Sequence, residues 1–251
     1  MPDPLPTDLK NRYYLLRHGQ STANVAEIIS SSRSLAYTDK HGLTATGYEQ
    51  GVGSAKQLVD LLAHESGAKR GERVILVSSP FARAYQTALA CLDGLQSPDL
   101  QSRLSDLGLE LETQVVLNDN LVERYFGRLD AQAIYTYAYV WPLDKFNVTH
   151  TAFDVESVAA VCTRLREVVL ELEKVYDNCH LVWVSHADVL QIAQMYAAGA
   201  DNVGEFSSYR FQNGEVRKMA VQSTDHLPDP VPLEAPFRGT RTSADAVEQN
   251  S

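Results

Sequence analysis

YYLLRHGQSTAN, residues 13–24, is the stretch of sequence that decides the fold. Its first four residues form a short apolar run, which predicts a buried β-strand. The run ends at Arg17, His18 and Gly19, and the small polar residues that follow suit a loop whose backbone N–H groups bind an anion. Because ligands of open α/β sheets bind beyond the carboxyl ends of the strands, we expect a phosphate-sized anion beside His18.

Taken alone, the tripeptide Arg-His-Gly is weak evidence, because short strings recur by chance and a motif needs structural context. A histidine at a strand end that performs no chemistry is the simplest alternative. Evidence from the rest of the sequence is needed to choose between the two interpretations.

The overall charge of the chain argues against several classes of partner. Its 251 residues carry 22 basic and 32 acidic side chains, a formal net charge of −10. Such a field repels nucleic acid and anionic membrane surfaces, so we expect neither as a partner. A phosphate site on this protein would have to be a local basic pocket in an acidic surface.

Several features of the chain predict a cytoplasmic location. The longest apolar runs are too short to cross a bilayer. The N-terminal residues have neither the basic start nor the apolar segment of a secretory signal. The three cysteines form no CxxC motif and resemble small buried residues of a protein in a reducing compartment.

Apolar and amphipathic segments indicate an α/β protein. Strands are predicted at residues 13–16, 73–78, 114–117 and 180–185, and helices at residues 44–66, 83–92, 134–141, 154–177 and 187–198. Gly67 would close the first helix and Pro142 would end the third. Residues 25–43 and 96–111 are interpreted as a surface loop and a polar insertion.

The C-terminal part of the chain predicts an antiparallel edge of the sheet. Asn213-Gly214 separates two alternating runs, residues 207–211 and 216–221, which is a strong β-hairpin signal. We expect one domain over residues 12–221. A loose proline-rich arm, residues 1–11, would precede it, and a partly disordered tail, residues 222–251, would follow it.

Basic and imidazole side chains follow the predicted strands at their carboxyl ends. His18 and His186 each come directly after a strand, Arg17 ends the first strand, and Arg83 begins the helix after the second. A cation in a first helical turn opposes the helix dipole unless a bound anion is present, although a solvated surface arginine is the alternative. Parallel strands bring these ends to one edge, so we expect the four side chains to meet.

These side chains suit phosphoryl transfer. Arg17 and Arg83 would bind one phosphoryl group from two sides, and Asn24 would complete the cradle. His18 would attack phosphorus and form a phosphohistidine. His186, as a cation, would stabilise the charge on the equatorial oxygens.

Glu123, in the segment after the third predicted strand, is the candidate general acid that protonates the leaving alcohol. A surface ion pair with Arg124 or Arg128 is the alternative interpretation of this carboxylate. The other histidines of the chain show no metal-ligand spacing. We therefore expect no metal and no cofactor, because protein cations would supply the positive charge.

The same motifs resemble those of the histidine phosphatase superfamily, also called phosphoglycerate mutase-like, over most of residues 12–221. LRHGQS (16–21) followed by Asn24 is similar to the signature around the phosphorylated histidine. SP (79–80) with Arg83, LVER (121–124) and SH (185–186) resemble the segments that carry the second arginine, the acid and the second histidine. The resemblance implies a three-layer α/β/α sandwich, with a mostly parallel central sheet and an antiparallel edge, and a phosphohistidine mechanism.

Two departures from the family pattern guide the functional prediction. Ala187 stands where the family usually has glycine, and residues 131–154 contain Lys145 as their one basic side chain besides His150, whereas the mutases have an arginine pair in that region. We therefore predict a hydrolase, a metal-independent phosphatase of a small phosphorylated metabolite. The alternatives are a phosphoglycerate mutase that depends on a bisphosphorylated primer, and a non-catalytic phosphate-binding or interaction module. The oligomeric state and the natural substrate are not predicted.

Overall fold

A central sheet is built around the strand that the sequence singles out. The computed structural model describes residues 1–64 and 71–232. Its strands are β1 (Arg12–Arg17), β2 (Glu72–Ser78), β3 (Leu109–Leu111), β4 (Val116–Leu117), β5 (Cys179–Ser185) and β6 (Val216–Lys218). They are ordered β3-β2-β5-β1-β6, and β4 also pairs with β2. All pairs are parallel except β1 with β6, which confirms the mostly parallel sheet with an antiparallel edge.

Helices cover both faces of this sheet. They are α1 (Thr22–Val25), α2 (Ala45–Ala63), α3 (Ala82–Leu95), α4 (Pro98–Asp106), α5 (Trp141–Phe146), α6 (Val158–Val175) and α7 (Ala187–Ala198). Successive side chains of a strand point to opposite faces. Tyr13 and Leu15 of β1 accordingly lie in one apolar core with α6 and α7. Tyr14 and Leu16 lie in another core with α2, α3 and α4, which confirms the three-layer α/β/α sandwich.

Capping side chains set the start of α2 where the sequence predicts it and the start of α6 four residues after the predicted residue 154. Thr44 caps α2 by accepting a hydrogen bond from the Gly47 backbone N–H at 3.1 Å, and Ser157 caps α6 by accepting one from Ala160, also at 3.1 Å. Each cap satisfies a backbone donor that has no partner within the helix. The predicted closing residue Gly67 lies outside the described residues.

Proline begins helices in two places where the sequence predicts otherwise. Residues 96–111, interpreted as a polar insertion, contain α4 and β3, and Pro98 stands in the first turn of α4. Pro142 likewise stands in the first turn of α5, whereas residues 134–139 form a 3₁₀ helix. Because a first-turn N–H has no partner within the helix, proline is tolerated there, and both interpretations of these segments were wrong for this reason.

The antiparallel edge forms without the predicted hairpin. Residues 203–208, which overlap the first predicted arm, form a 3₁₀ helix. The backbone N–H of Gly214, which has φ of 73°, donates to the Arg17 carbonyl at 3.1 Å, so the turn connects to β1 rather than to a preceding strand. The second arm, β6, pairs with β1, and the third predicted strand shrinks to the two residues of β4.

The terminal segments contact the body of the protein. Leu5 is buried in the core beside α6 and α7, and the Tyr196 hydroxyl donates to the Asp3 carbonyl, so the description of residues 1–11 as a loose arm was wrong. Of the predicted disordered tail, residues 233–251 lie outside the described residues. None of the helices in the described ranges combines the length and the apolar character that crossing a membrane requires.

Candidate active site

The predicted side chains at the sheet edge come together. The His18 backbone N–H donates to the Ser185 carbonyl at 2.9 Å, which brings the ends of β1 and β5 side by side. The rings of His18 and His186 lie 5.2 Å apart between centroids, at 62° to each other. Arg83, on the first turn of α3, reaches the same place, and its Nε lies 3.2 Å from His18 Nε2.

The hydrogen bonds of His18 determine which of its nitrogens carries the proton. Nδ1 lies 2.7 Å from the Gly19 carbonyl oxygen, which can only accept, so Nδ1 is the protonated nitrogen. Nε2 accepts from Arg83 and keeps its lone pair. Burial, and then the charges of Arg83 and Arg17, lower the pKa of His18 well below its usual value. The ring is therefore neutral, with an unprotonated nitrogen beside an arginine.

Close backbone packing fixes the loop that holds His18. The Gly19 N–H donates to Thr87 Oγ1 at 2.9 Å. A Cβ on Gly19 would lie 2.2 Å from the Gly47 carbonyl oxygen, and a Cβ on Gly47 would lie 2.0 Å from the Gln20 carbonyl oxygen. Real Cβ atoms do not approach other atoms so closely, so both positions require glycine and the loop lies directly on the start of α2.

The two candidate phosphate-binding arginines, the buried Arg83 and the half-buried Arg17, form no ion pair with a carboxylate of the described residues. Arg83 donates to the hydroxyl of Ser30 at 3.2 Å and to its carbonyl at 2.7 Å. Arg17 donates to the Phe211 carbonyl at 2.7 Å, and its buried Nε makes no hydrogen bond. Within the described residues neither guanidinium forms an ion pair, and burial lowers the pKa of Arg83 to about 10. Two partly or fully buried guanidinium groups that form no ion pair in the described part of the chain favour the binding of an anion.

His186 differs from its predicted charge state. Its Nε2 lies 2.9 Å from Ser79 Oγ, and its buried Nδ1 has no hydrogen-bond partner. Burial, followed by the charge of Arg83, lowers the pKa of His186 well below its usual value. The expectation of a cation was therefore wrong for the protein without ligand, because the sequence does not reveal how fully the ring is buried or how close Arg83 lies.

Glu123 faces the same cavity as the arginines and is not paired on the surface. The carboxylate is buried and accepts a hydrogen bond from the Arg124 backbone N–H at 2.9 Å. The two alternative partners are bound elsewhere: Arg124 to Asp144 at 2.7 Å and Arg128 to Asp154 at 3.0 Å. The surface ion-pair interpretation was therefore wrong. Burial raises the pKa of Glu123, which favours the protonated form that a general acid needs.

Asn24 lines the cavity with its amide already oriented. Its Oδ1 accepts from the Ser21 backbone N–H at 3.0 Å, and its own backbone N–H donates to Ser21 Oγ at 3.2 Å. This reciprocal arrangement is a capping box at the start of α1. Because the amide oxygen is held by Ser21, the Nδ2 hydrogens remain available to an anion in the cavity.

A cavity of about 970 Å³ is lined by Arg17, His18, Asn24, Arg83 and Glu123. The fully buried His186 is not part of the described lining, which also contains residues that the sequence did not single out. Asp188, Gln191 and Arg210 also line it. Asp188 accepts from Trp141 Nε1 at 3.2 Å, and burial together with the charge of Glu123 raises its pKa to about 7. Nothing in the local sequence distinguishes Asp188 from an ordinary first-turn acid of a helix.

The sequence also did not predict three further residues of the site, which are Ser30, Ser79 and Thr87. Each of them positions a predicted residue or its loop through the hydrogen bonds given above. Ser79 could have been recognised from its place in the Ser-Pro motif, whereas Ser30 lies in a serine run without any periodic pattern. Across residues 1–64 and 71–232, no group of three or more His, Cys, Asp or Glu side chains is arranged to hold a metal ion.

The arrangement of the site agrees with the comparison of the sequence with family models. The model described as the histidine phosphatase superfamily (branch 1) matches residues 13–226. The chain belongs to the histidine phosphatase superfamily. A comparison with curated proteins found no significant match.

Solved structures with the same fold are distant in sequence. A mycobacterial glucosyl-3-phosphoglycerate phosphatase is 19% identical, with 82% of this chain and 88% of that chain covered and a TM-score of 0.58. The α-ribazole phosphatase of Shigella flexneri is 20% identical, with 89% and 100% covered and a TM-score of 0.55. A putative α-ribazole-5′-P phosphatase of Escherichia coli is 19% identical, with 84% and 98% covered and a TM-score of 0.54. These similarities show the phosphoglycerate mutase-like fold.

Proposed function

We propose that the protein is a metal-independent phosphomonoester phosphatase that acts on a small phosphorylated metabolite through a phosphohistidine. One observation carries this proposal. His18 is neutral, with the lone pair of Nε2 free of a proton, and it lies beside two arginines that form no ion pair with any described carboxylate. A neutral imidazole is a nucleophile, and the two guanidinium groups attract and orient the anion that it would attack.

The proposed reaction has two balanced steps. In the first, His18 Nε2 attacks phosphorus and the bond to the ester oxygen breaks. The electron pair stays on that oxygen, which takes a proton from Glu123. In the second, water attacks phosphorus and gives a proton to Glu123, while the bond from phosphorus to His18 Nε2 breaks, its electron pair returns to Nε2, and phosphate leaves. Arg17 and Arg83 bind the phosphoryl oxygens throughout, and His186 would gain a proton as the anion binds.

The available cations support hydrolysis over mutase chemistry. Lys145, the one basic residue of the region besides a histidine, pairs with Glu205 at 3.0 Å and does not line the cavity. A mutase has to hold a bisphosphorylated intermediate against water, which requires additional cations near the second phosphate. A purely binding function is disfavoured because the nucleophile and the candidate acid are both present and both face the cavity.

The phosphatase proposal extends to substrate and location. The similar structures include phosphatases of a sugar phosphoglycerate and of a riboside phosphate, which supports a small phosphorylated substrate. Cys91, Cys162 and Cys179 are buried and unpaired, which supports a reducing, cytoplasmic compartment.

A panel of phosphorylated metabolites tests the proposal, with released phosphate as the readout, a chelator present throughout, and the H18A protein as the blank. We expect release by the natural protein in chelator, and acid-labile phosphate trapped on the protein during turnover but absent from H18A. Release that needs an added divalent metal, phosphate trapped on another residue, or interconversion of monophosphoglycerates with little release would contradict it.

A further inference from the structure

The cavity is larger than a phosphoryl group requires. Its volume of about 970 Å³ lies at the upper end of the range for ligand sites, which hold molecules of drug size. The phosphate-binding side chains make up only part of the lining. The segment that contributes more of the additional lining than any other is residues 134–142, which forms the 3₁₀ helix and the start of α5.

This segment contributes an apolar, aromatic wall. Tyr137 and Trp141 both line the cavity, and their rings stack at 4.6 Å between centroids with only 4° between their planes. Phe126 packs edge-on against Tyr137 at 4.9 Å, and Trp141 Nε1 donates to Asp188. Rings held in this way lose little entropy when a ligand binds, so the wall is organised before the ligand arrives.

The charges of the cavity do not suit a second strongly anionic group near this wall. Glu123 and Asp188 are the acids of the lining, and both are buried. Apart from Arg17 and Arg83, Arg210 is the one arginine or lysine among the described residues that line the cavity. Arg210 is exposed, and its guanidinium carbon lies 5.9 Å from the centroid of the Trp141 ring. An apolar alcohol therefore matches the described lining better than a polyanion does.

We propose that the preferred substrates are monophosphates of alcohols that carry a flat apolar ring, and that this ring contacts Tyr137 and Trp141. The inference rests on the proposed phosphatase function and narrows its substrate class. Arg17 and Arg83 bind the phosphoryl group, while the aromatic wall binds the leaving alcohol. Burying one aromatic ring against such a wall raises kcat/KM by about 10- to 100-fold over the same phosphate without the ring.

The test compares 2-phenylethyl phosphate with ethyl phosphate, because their leaving alcohols have similar acidity and differ mainly in the ring. We expect kcat/KM to be about 10- to 100-fold higher for the phenylethyl ester. The W141L variant should lose most of this ratio and W141F should retain most of it. Y139L is the matched control, since Tyr139 belongs to the same segment but lies outside the cavity and is exposed.

Each outcome distinguishes the two proposals. Equal kcat/KM values for the two esters would overturn the ring preference and leave the phosphatase function intact. If neither ester releases more phosphate with the natural protein than with H18A, both proposals are overturned. A ratio that W141L leaves unchanged contradicts the assignment of the ring to this wall. If W141L does not fold, inhibition of the natural protein provides the test. We expect 2-phenylethanol to compete with ethyl phosphate at concentrations at which ethanol does not. Equal inhibition by the two alcohols would contradict the proposal.

Discussion

At the scale of single residues, the two active-site histidines are distinguished by their partners. The Gly19 carbonyl holds the proton of His18 on Nδ1, and the unprotonated Nε2 accepts from Arg83, whereas Nε2 of His186 lies beside a serine hydroxyl. Both rings are fully buried near Arg83, and both are neutral before an anion arrives. A bound phosphoryl dianion would oppose the arginine charge and so favour protonation of His186.

Replacing Glu123 with glutamine tests its role as the general acid. An alkyl alcohol is a poor leaving group that needs a proton, so E123Q should slow hydrolysis of an alkyl phosphate by about 10²- to 10⁴-fold and slow an aryl phosphate much less. Steady-state rates on the two substrates measure the difference. Equal losses on both would indicate a structural carboxylate, whose function is to receive the Arg124 backbone N–H.

The positions of these residues could be predicted from sequence, but their protonation states could not. His18, Arg83 and His186 follow apolar runs that are recognisable by composition alone, and parallel strands bring such ends together. The charge of His186 depends instead on its burial and on the distance to Arg83, which come from the tertiary packing. Asp188 was missed for the same reason, because the partners that raise its pKa are distant in sequence.

At the scale of elements, strands could be predicted where the apolar runs were continuous, and the prediction failed where the runs were short. β1, β2 and β5 are buried on both faces and appear as unbroken apolar runs. α4 and β3 are weakly patterned and carry few buried residues, so composition alone suggested an insertion. The hairpin signal was correct for the turn and wrong for the first arm, residues 207–211, which forms no strand and begins in the last two residues of a 3₁₀ helix.

The contact between the His18 loop and α2 makes Gly47 an essential position. A G47A variant would place its Cβ 2.0 Å from the Gln20 carbonyl, so the loop and the helix have to separate. We expect a loss of kcat of roughly 10²-fold, because a misplacement of about 1 Å at a reacting group has this effect. Steady-state kinetics on an alkyl phosphate, together with thermal unfolding, measure the loss.

G53A is the control for this substitution. Gly53 lies in the same helix, and nothing lies within 4 Å of its added Cβ. Alanine there should leave activity unchanged and stabilise the helix by about 0.5–1 kcal/mol. A G47A protein as active as G53A would show that the loop tolerates the displacement and would contradict the proposed tight positioning.

At the scale of the whole molecule, an acidic protein surrounds a basic pocket. The net charge of −10 repels anions at a distance, while Arg17 and Arg83 attract them inside the cavity. The proposed substrate, a metabolite phosphate, would therefore bind through short-range contacts, and raising the ionic strength should weaken the long-range repulsion more than these contacts. Selectivity then depends on the cavity lining rather than on electrostatic steering.

Burial of neutral histidines gives the stability of the molecule a distinct pH dependence. The pKa of His186 in the folded protein lies well below 6.5, the ordinary value that the unfolded chain keeps. As pH falls below about 6.5, the unfolded chain binds a proton that the folded protein does not, so unfolding becomes easier. Asp188 acts in the opposite direction, because its pKa of about 7 lies above its ordinary 3.8, and folding takes up its proton as pH falls below 7.

A difference between variants separates these opposing contributions. In H186N, Asp188 still contributes to the pH dependence of stability, whereas the contribution of His186 is removed. The free energy of unfolding of H186N relative to the natural protein should therefore rise by up to about 1.4 kcal/mol per pH unit below pH 6.5. Urea unfolding at pH 7.5, 6.5, 5.5 and 5.0 in phosphate-free buffer measures it, with H226N as the control because His226 is exposed. A difference that stays constant with pH would mean that His186 takes up its proton as readily in the folded protein as in the unfolded chain, and would contradict the lowered pKa. A difference that falls as the pH is lowered would restore the cation that the sequence predicts.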